Sequence, residues 1–320
     1  MITVTEDCFR LSQTFTISRG SKTEARVLTV RITRGGVTGH GECVPYSRYG
    51  ETPDSVTSQI QGLPEDITRQ ALQMAVPPGA ARNAVDCALW DVEAKLAGRR
   101  VWDLAGLPAP GPVVTAFTLS LAAPEDMRLA AAANAHRPIL KIKLGTEGDM
   151  PRLEAVRAGA PRSRIIIDAN EGWSPEVYTD LAPHLVRLGV ELVEQPLPAA
   201  QDDMLAEIAR PVPVCADESC FDRASLARLK GKYDVVNLKL DKTGGLTEGL
   251  LTHDMARQMG FKVMVGCMVG SSLAMAPAVL LAQGADWTDL DGPLLLSEDR
   301  AYPLRYDADG VHPSDANLWG

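Results

Sequence analysis

The 320-residue chain is 45% apolar and 23% charged, the composition of a globular protein, and its length suits one large domain with a smaller companion. A formal net charge of −9 without long runs of like charge excludes a nucleic-acid phosphate backbone as partner. No basic segment leading into an apolar stretch opens the chain, apolar runs break within about ten residues, and the six cysteines are scattered; the expectation is a cytoplasmic protein with reduced thiols and no membrane partner.

In chain order, Ala25 to Ile32, the turn Arg34-Gly35-Gly36 and Val37 to Cys43 predict consecutive strands joined by a hairpin. Pro77-Pro78-Gly79 then breaks the chain before Ala80 to Ala97, where Val85, Leu89, Trp90 and Leu96 predict one apolar helical face. Strands followed by helices indicate an α+β unit over residues 1–112, ending in the Pro/Gly-rich linker Gly106 to Pro112.

From Val113 the rhythm changes to short apolar runs alternating with amphipathic helices. The runs are Thr115 to Ser120, Ile139 to Leu144, Arg164 to Asp168, Glu191 to Glu194, Val214 to Asp217, Val235 to Leu240, Lys262 to Gly266 and Asp286 to Asp291. Ser174-Pro175-Glu176 marks a helix start, and Gly189, Gly231 and Gly260 mark helix stops. Continuous apolar strands in alternation with helices mean buried parallel strands. The expected fold is α/β, a barrel over residues 113–300 behind the α+β unit, with residues 301–320 returning to that unit.

In such a barrel the active site lies at the C-terminal ends of the strands. Here those ends carry Lys141 and Lys143, Asp168, Glu194, Asp217 and Lys239, advancing by roughly 25 residues at a time, about one strand–helix unit. Three converging carboxylates without histidine or thiolate describe a hard-cation site, magnesium before zinc. Left without a cation, such acids raise one another's pKa values. Singly, each acid reads equally well as a helix cap or surface group, and a lone Lys-x-Lys as two surface lysines. Together, lysines from strands on either side of the acid row suit proton removal and return on opposite faces of one carbon next to a carboxylate. Lys141 shares a strand face with Lys143 and places a second positive charge beside it, an auxiliary role.

The segments LKIKLG (Leu140 to Gly145), IIDAN (Ile166 to Asn170), VEQPLP (Val193 to Pro198), CADES (Cys215 to Ser219) and NLKLDKTGG (Asn237 to Gly245) resemble the muconate-lactonizing-enzyme subgroup of the enolase superfamily. The resemblance implies a modified TIM barrel, (β/α)7β, with an N-terminal α+β capping domain that supplies substrate-specificity loops. It further implies Asp168, Glu194 and Asp217 as ligands of one Mg2+ per subunit, with Lys143 and Lys239 as the acid/base pair. The subgroup frequently forms homo-oligomers.

The substrate is narrowed by a second tier of matches. Asp289-Leu290-Asp291 resembles the Asp-x-Asp of dipeptide epimerases that holds the substrate ammonium, chemistry that an acidic pair suits; the same acids also read as caps of a following turn. PYSRYGET, PPGAARNAVDCALWD, CADESCFDR and GCMVGSS are similar to the L-Ala-D/L-Glu epimerases of bacterial peptidoglycan recycling. In that family an arginine at the approximate position of Arg19 binds the glutamyl carboxylate, a grip for which a guanidinium is suited, and Thr118 resembles a residue near the dipeptide backbone. The implied partner is a small dipeptide. The alternatives within the subgroup are a cycloisomerase, an o-succinylbenzoate synthase and an N-acylamino acid racemase.

Overall fold

The structure, a computed structural model, describes residues 1–320. Its N-terminal unit is an antiparallel sheet in the order β1 (Ile2–Ile17), β2 (Gly20–Arg34) and β3 (Val37–Cys43), followed by α1 (Pro53–Gln61), α2 (Arg69–Ala75) and α3 (Ala80–Ala97). The β2–β3 hairpin lies where expected, with Gly35 and Gly36 at φ 56° and 81°, the positive values that a two-residue turn of the I′ kind requires. β1 is an additional strand. Its side chains alternate between exposed and half-buried with none fully buried, so it lacks the apolar run by which β2 is recognised. Its register shifts between Arg10 and Phe15, and there it leaves β2 to bridge Leu296 on the barrel rim.

The helix expected over Ala80 to Ala97 forms with those bounds, but it does not bury one face. Fourteen of its 18 residues are buried, while Leu96, expected on the apolar face, is half exposed. The reason is position: α3 lies between the sheet and the barrel. A Cβ at Gly39 or Gly41 of β3 would lie 2.3 or 2.1 Å from the carbonyl oxygens of Ala88 and Ala84, so only glycine permits the sheet to approach this closely. On the opposite side Arg82 donates to the Thr243 carbonyl at 2.7 Å, Asn83 to Asp241 at 2.9 Å, and Asp86 accepts the Thr247 amide at 2.9 Å, so the polar residues of the buried helix are satisfied by the barrel. After the short α4 (Val101–Leu104) the chain crosses to that barrel.

The expected barrel is present. Its strands β4 (Phe117–Leu119), β5 (Ile139–Lys143), β6 (Arg164–Asp168), β7 (Val190–Glu194), β8 (Val214–Ala216), β9 (Val235–Leu238), β10 (Lys262–Gly266) and β11 (Trp287–Asp289) are hydrogen-bonded in sequence order, with parallel registers. The Ala116 amide donates to the Thr288 carbonyl at 2.8 Å and brings the first strand against the last. Ala116, Ile139, Ile166, Leu192, Cys215, Val235, Met264 and Trp287 form a separate apolar cluster that fills the interior. The larger core of 52 buried residues includes the layer between the strands and α5 (Pro124–Ala133), α6 (Asp149–Gly159), α7 (Pro175–Arg187), α8 (Arg223–Leu229), α9 (Leu240–Thr243), α10 (Leu246–Gln258) and α11 (Ser272–Leu281). Between β7 and β8 only a 3-10 turn, Asp202–Ala206, replaces a helix. Ser174 caps α7, accepting the Val177 amide, and Gly189, Gly231 and Gly260 follow helix ends with φ of 65°, 85° and 88°. No helix is long and apolar enough to cross a membrane.

After the barrel a two-stranded ribbon, β12 (Tyr306–Asp307) and β13 (Gly310–Val311), bridges Val113. The Trp319 indole then donates to the Cys87 carbonyl at 3.0 Å, which sets the last residues against α3.

Candidate active site

Because neighbouring strands are parallel and in register, with Lys143 opposite Asp168 and Asp168 opposite Glu194, the charged strand ends share one level. Oxygens of Asp168, Glu194 and Asp217 lie within 4.8 Å of one another, and all three residues are buried. Lys143 Nζ donates to Asp168 Oδ2 at 2.6 Å from one side, and Lys239 Nζ donates to Asp217 Oδ2 at 2.7 Å from the other. Lys141 Nζ is 2.6 Å from both Glu194 and Asp289 and 3.3 Å from Asp168, so it joins the acid row to the eighth strand.

Above these groups is a cavity of about 400 Å³ to whose wall the N-terminal unit contributes Phe15, Ile17, Arg19 and Tyr49. Of the ten site residues read from the sequence, eight line it: Arg19, Thr118, Lys141, Lys143, Asp217, Lys239, Asp289 and Asp291. Asp168 and Glu194 lie beneath its floor. Thr118 faces Asp291 through its backbone, its amide donating to Asp291 Oδ2 at 2.6 Å. Asp289 gives Oδ2 to Lys141 at 2.6 Å, while its Oδ1 is buried with no hydrogen-bond partner. Arg19 lies on the β1–β2 turn and reaches down to Glu218 at 2.7 Å and the Asn170 carbonyl at 2.7 Å.

The electrostatics differ from what three adjacent acids alone would give. Burial raises the pKa of each acid, but the ammoniums of Lys143 and Lys141 outweigh it at Asp168, and those of Lys239 and Lys242 at Asp217; both carboxyls are held below the usual carboxylate range. Glu194 alone behaves as the bare row would, pushed up to about 7 by burial and by Asp168. Burial likewise pushes Asp291 up to about 7, with Asp289 adding to it. Burial alone would lower Lys141 and Lys239; the facing carboxylates reverse this and hold both well above the ordinary lysine value.

Several supporting residues escape the sequence pattern. Lys242, fully buried on α9, donates to Asp217 Oδ1 at 2.5 Å, to the Asp217 carbonyl at 2.6 Å and to the Asn237 carbonyl at 3.0 Å. Asn237 donates to Glu194 Oε1 at 2.7 Å. Gln195 takes the Asp217 amide at 3.0 Å and the Ser219 amide at 3.2 Å on its side-chain oxygen, with its own backbone at φ 36°. Two of these lie in the NLKLDKTGG run and one in VEQPLP, but nothing in spacing separates a lysine that supports an acid from one that faces the cavity.

The donor set fits a divalent cation of the magnesium kind. It consists of carboxylate oxygens without nitrogen or sulfur, and Glu194 Oε2 is buried and without a hydrogen bond, although Lys141 Nζ is 2.6 Å away.

Residues 1–106 match the N-terminal domain of mandelate racemase and muconate lactonizing enzyme, and residues 125–300 match the enolase C-terminal domain-like family. The chain belongs to the enolase superfamily. Within the superfamily it is 42% identical to the L-Ala-D/L-Glu epimerase of Escherichia coli strain K12 over 317 residues, 97% of this chain and 99% of that protein. It is 44% identical to an N-acetyl-D-glutamate racemase of a Pseudoalteromonas species over 288 residues, 88% and 91% of the two chains. Among solved structures, an enolase family member from Agrobacterium tumefaciens with homology to dipeptide epimerases, bound to sodium and L-Ala-L-Glu, superposes with a TM-score of 0.98 at 52% identity, covering 100% of this chain and 99% of that one. The dipeptide epimerase of Cytophaga hutchinsonii, complexed with Mg and D-Ala-L-Val, gives 0.91 at 27% identity, covering 98% and 94%.

Proposed function

We propose that this chain is a Mg2+-dependent dipeptide epimerase that inverts the α carbon of the C-terminal residue of L-Ala-D/L-Glu, in the recycling of peptidoglycan peptides. The observation that carries the reading is the placement of Lys143 and Lys239 on opposite sides of the acid row, each joined to one of its acids. A carbon held between the two lysine Nζ groups, one a neutral amine and the other an ammonium, loses its proton to the amine and gains one from the ammonium on the opposite face, which inverts it and exchanges the two protonation states.

Asp168, Glu194 and Asp217 would hold the cation. When bound, it stabilises the negative charge that builds on the substrate carboxylate as the α proton leaves. Asp217 and Asp168, held ionised by their lysines, keep the two catalytic amino groups oriented toward the row. In the same cavity Asp289 and Asp291 face the dipeptide's ammonium, and Arg19 faces the glutamyl side chain. The relatives named for or solved with L-Ala-Glu support the substrate, and the recycling role rests on the resemblance of segments such as CADESCFDR and GCMVGSS to the epimerases of peptidoglycan recycling.

The experiment is proton exchange in D2O followed by NMR. L-Ala-L-Glu and L-Ala-D-Glu both gain deuterium at the glutamyl α carbon in the presence of Mg2+, both lose that exchange on chelation, and Lys143→Ala abolishes epimerisation. Unchanged turnover in that variant overturns the two-base reading.

The racemase of N-acetyl-D-glutamate among the relatives gives a second reading, racemisation of an N-acylated glutamate. The unpartnered, buried Asp289 Oδ1 favours the dipeptide, because an ammonium satisfies it with a proton and a charge, whereas an acetamide supplies one neutral donor. N-acetylglutamate assayed beside L-Ala-Glu separates the two.

A further inference from the structure

Arg19 belongs to the cap, yet three barrel acceptors hold its guanidinium: Glu218 Oε1 at 2.7 Å, the Asn170 carbonyl at 2.7 Å and Glu171 Oε2 at 3.3 Å. All three come from the segments that carry the acid row. Asn170 and Glu171 follow Asp168, and Glu218 follows Asp217. Glu218 is buried, with its side chain 1% exposed, and Arg19 is its hydrogen-bond partner; its Oε2 has none. A carboxylate buried with one oxygen unsatisfied is unfavourable, so this acid requires the arginine's charge.

The turn after β6 is shaped for the same guanidinium. Asn170 and Glu171 stand at φ 45° and 66°, consecutive left-handed residues without being glycine, and this conformation presents the Asn170 carbonyl and the Glu171 carboxylate to Arg19. Glu171 is further fixed by the Ala199 amide at 2.9 Å and by Arg48, which grips it with two hydrogen bonds of 2.7 and 2.8 Å.

We propose that Glu218 is a positioning residue for substrate choice: it fixes Arg19 at the cavity wall so that a dipeptide ending in an acidic residue is preferred to one ending in a neutral residue of equal size. This rests on the reading that Arg19 faces the glutamyl side chain. An arginine on a flexible stem loses rotamer freedom when it captures a carboxylate, and one already fixed does not. The clasp leaves charge to spare, since Arg19, Arg48 and Lys22 at the wall outnumber Glu171 and Glu218.

The test compares kcat/KM for L-Ala-L-Glu and L-Ala-L-Gln in the wild type, Glu218→Gln, Arg19→Met and the double variant, all with Mg2+. The two substrates share the α-carboxylate and the ammonium, so damage transmitted through neighbouring Asp217 affects both and cancels in their ratio. Glu218→Gln is expected to lower the Glu-over-Gln preference about tenfold, mainly through KM. Arg19→Met lowers it at least as far, and the double variant no further. Should Glu218→Gln fold poorly, Glu218→Asp, which keeps the charge, retains part of the preference relative to Arg19→Met. Equal loss on both dipeptides, an unchanged preference in Arg19→Met, or a full second loss in the double variant overturns the proposal. A wild type inert toward both dipeptides instead overturns the functional reading beneath it.

Discussion

On one side of the acid row Lys143 meets Asp168 at 2.6 Å, and on the other Lys239 meets Asp217 at 2.7 Å. Each of these lysines is backed by a second one, and there the two sides part. Lys141 lines the cavity and touches three carboxylates, one of them on the eighth strand. Lys242 is buried and fixes Asp217 by both its carboxylate and its carbonyl, without facing the cavity. A reaction that treats two faces of a carbon alike therefore needs matched groups only at the point of proton transfer; the support behind them follows whichever element is available, a strand on one side and the short helix α9 on the other.

The largest effect that tests this comparison is at the matched pair. Lys143→Ala and Lys239→Ala should each reduce epimerisation at least about a thousandfold, yet each should still exchange the α proton of one diastereomer in D2O, and not the same one. If both variants exchange both diastereomers equally, the two-sided arrangement is wrong.

The backing lysines should then separate. Lys242→Met should weaken Mg2+ binding about 10- to 100-fold, read by calorimetry without dipeptide, whereas Lys141→Met should also raise KM for the dipeptide because it leaves Asp289 without its partner. Identical effects would erase the distinction. Asp289→Asn should raise KM for L-Ala-L-Glu about tenfold or more while leaving an N-acylated analogue nearly unaffected.

The smallest effect concerns stability on the α9 side, where burial pushes Asp241 up to about 7 although the Val44 amide and Asn83 oppose it. Its folded pKa lies above its unfolded one, so its own contribution to stability is full below the unfolded value and is lost as pH rises from there through the folded value. Asp241→Asn keeps an acceptor for both donors and cannot ionise. It should stabilise the fold more at pH 8 than at pH 5, by on the order of 1 to 3 kcal/mol in the unfolding free energy read from denaturant melts at the two pH values.

The barrel was legible because its buried parallel strands are short, mainly apolar runs, most of which stop at a charge, and the register of those stops places Lys143, Asp168, Glu194, Asp217 and Lys239 around one mouth. β1 was not, because its residues are at most half-buried and it leaves its sheet for the barrel rim partway along. The burial of α3 on nearly every side was equally hidden, since alanine is compatible with either environment and the barrel surface that covers Arg82 and Asp86 lies more than 150 residues away in sequence. Arg19 was reachable only by family likeness. Its partners Glu171 and Glu218 lie 152 and 199 residues further on, and no local pattern connects a turn in the cap to loops of the barrel.

The position of α3 has a consequence for how the molecule comes apart. A helix whose one flank touches the glycines of β3 and whose other flank supplies Arg82, Asn83 and Asp86 to the barrel cannot remain folded when either neighbour melts. Cap and barrel should therefore lose structure together, in one calorimetric transition whose heat reflects both cores, although sequence rhythm and family boundaries divide the chain in two.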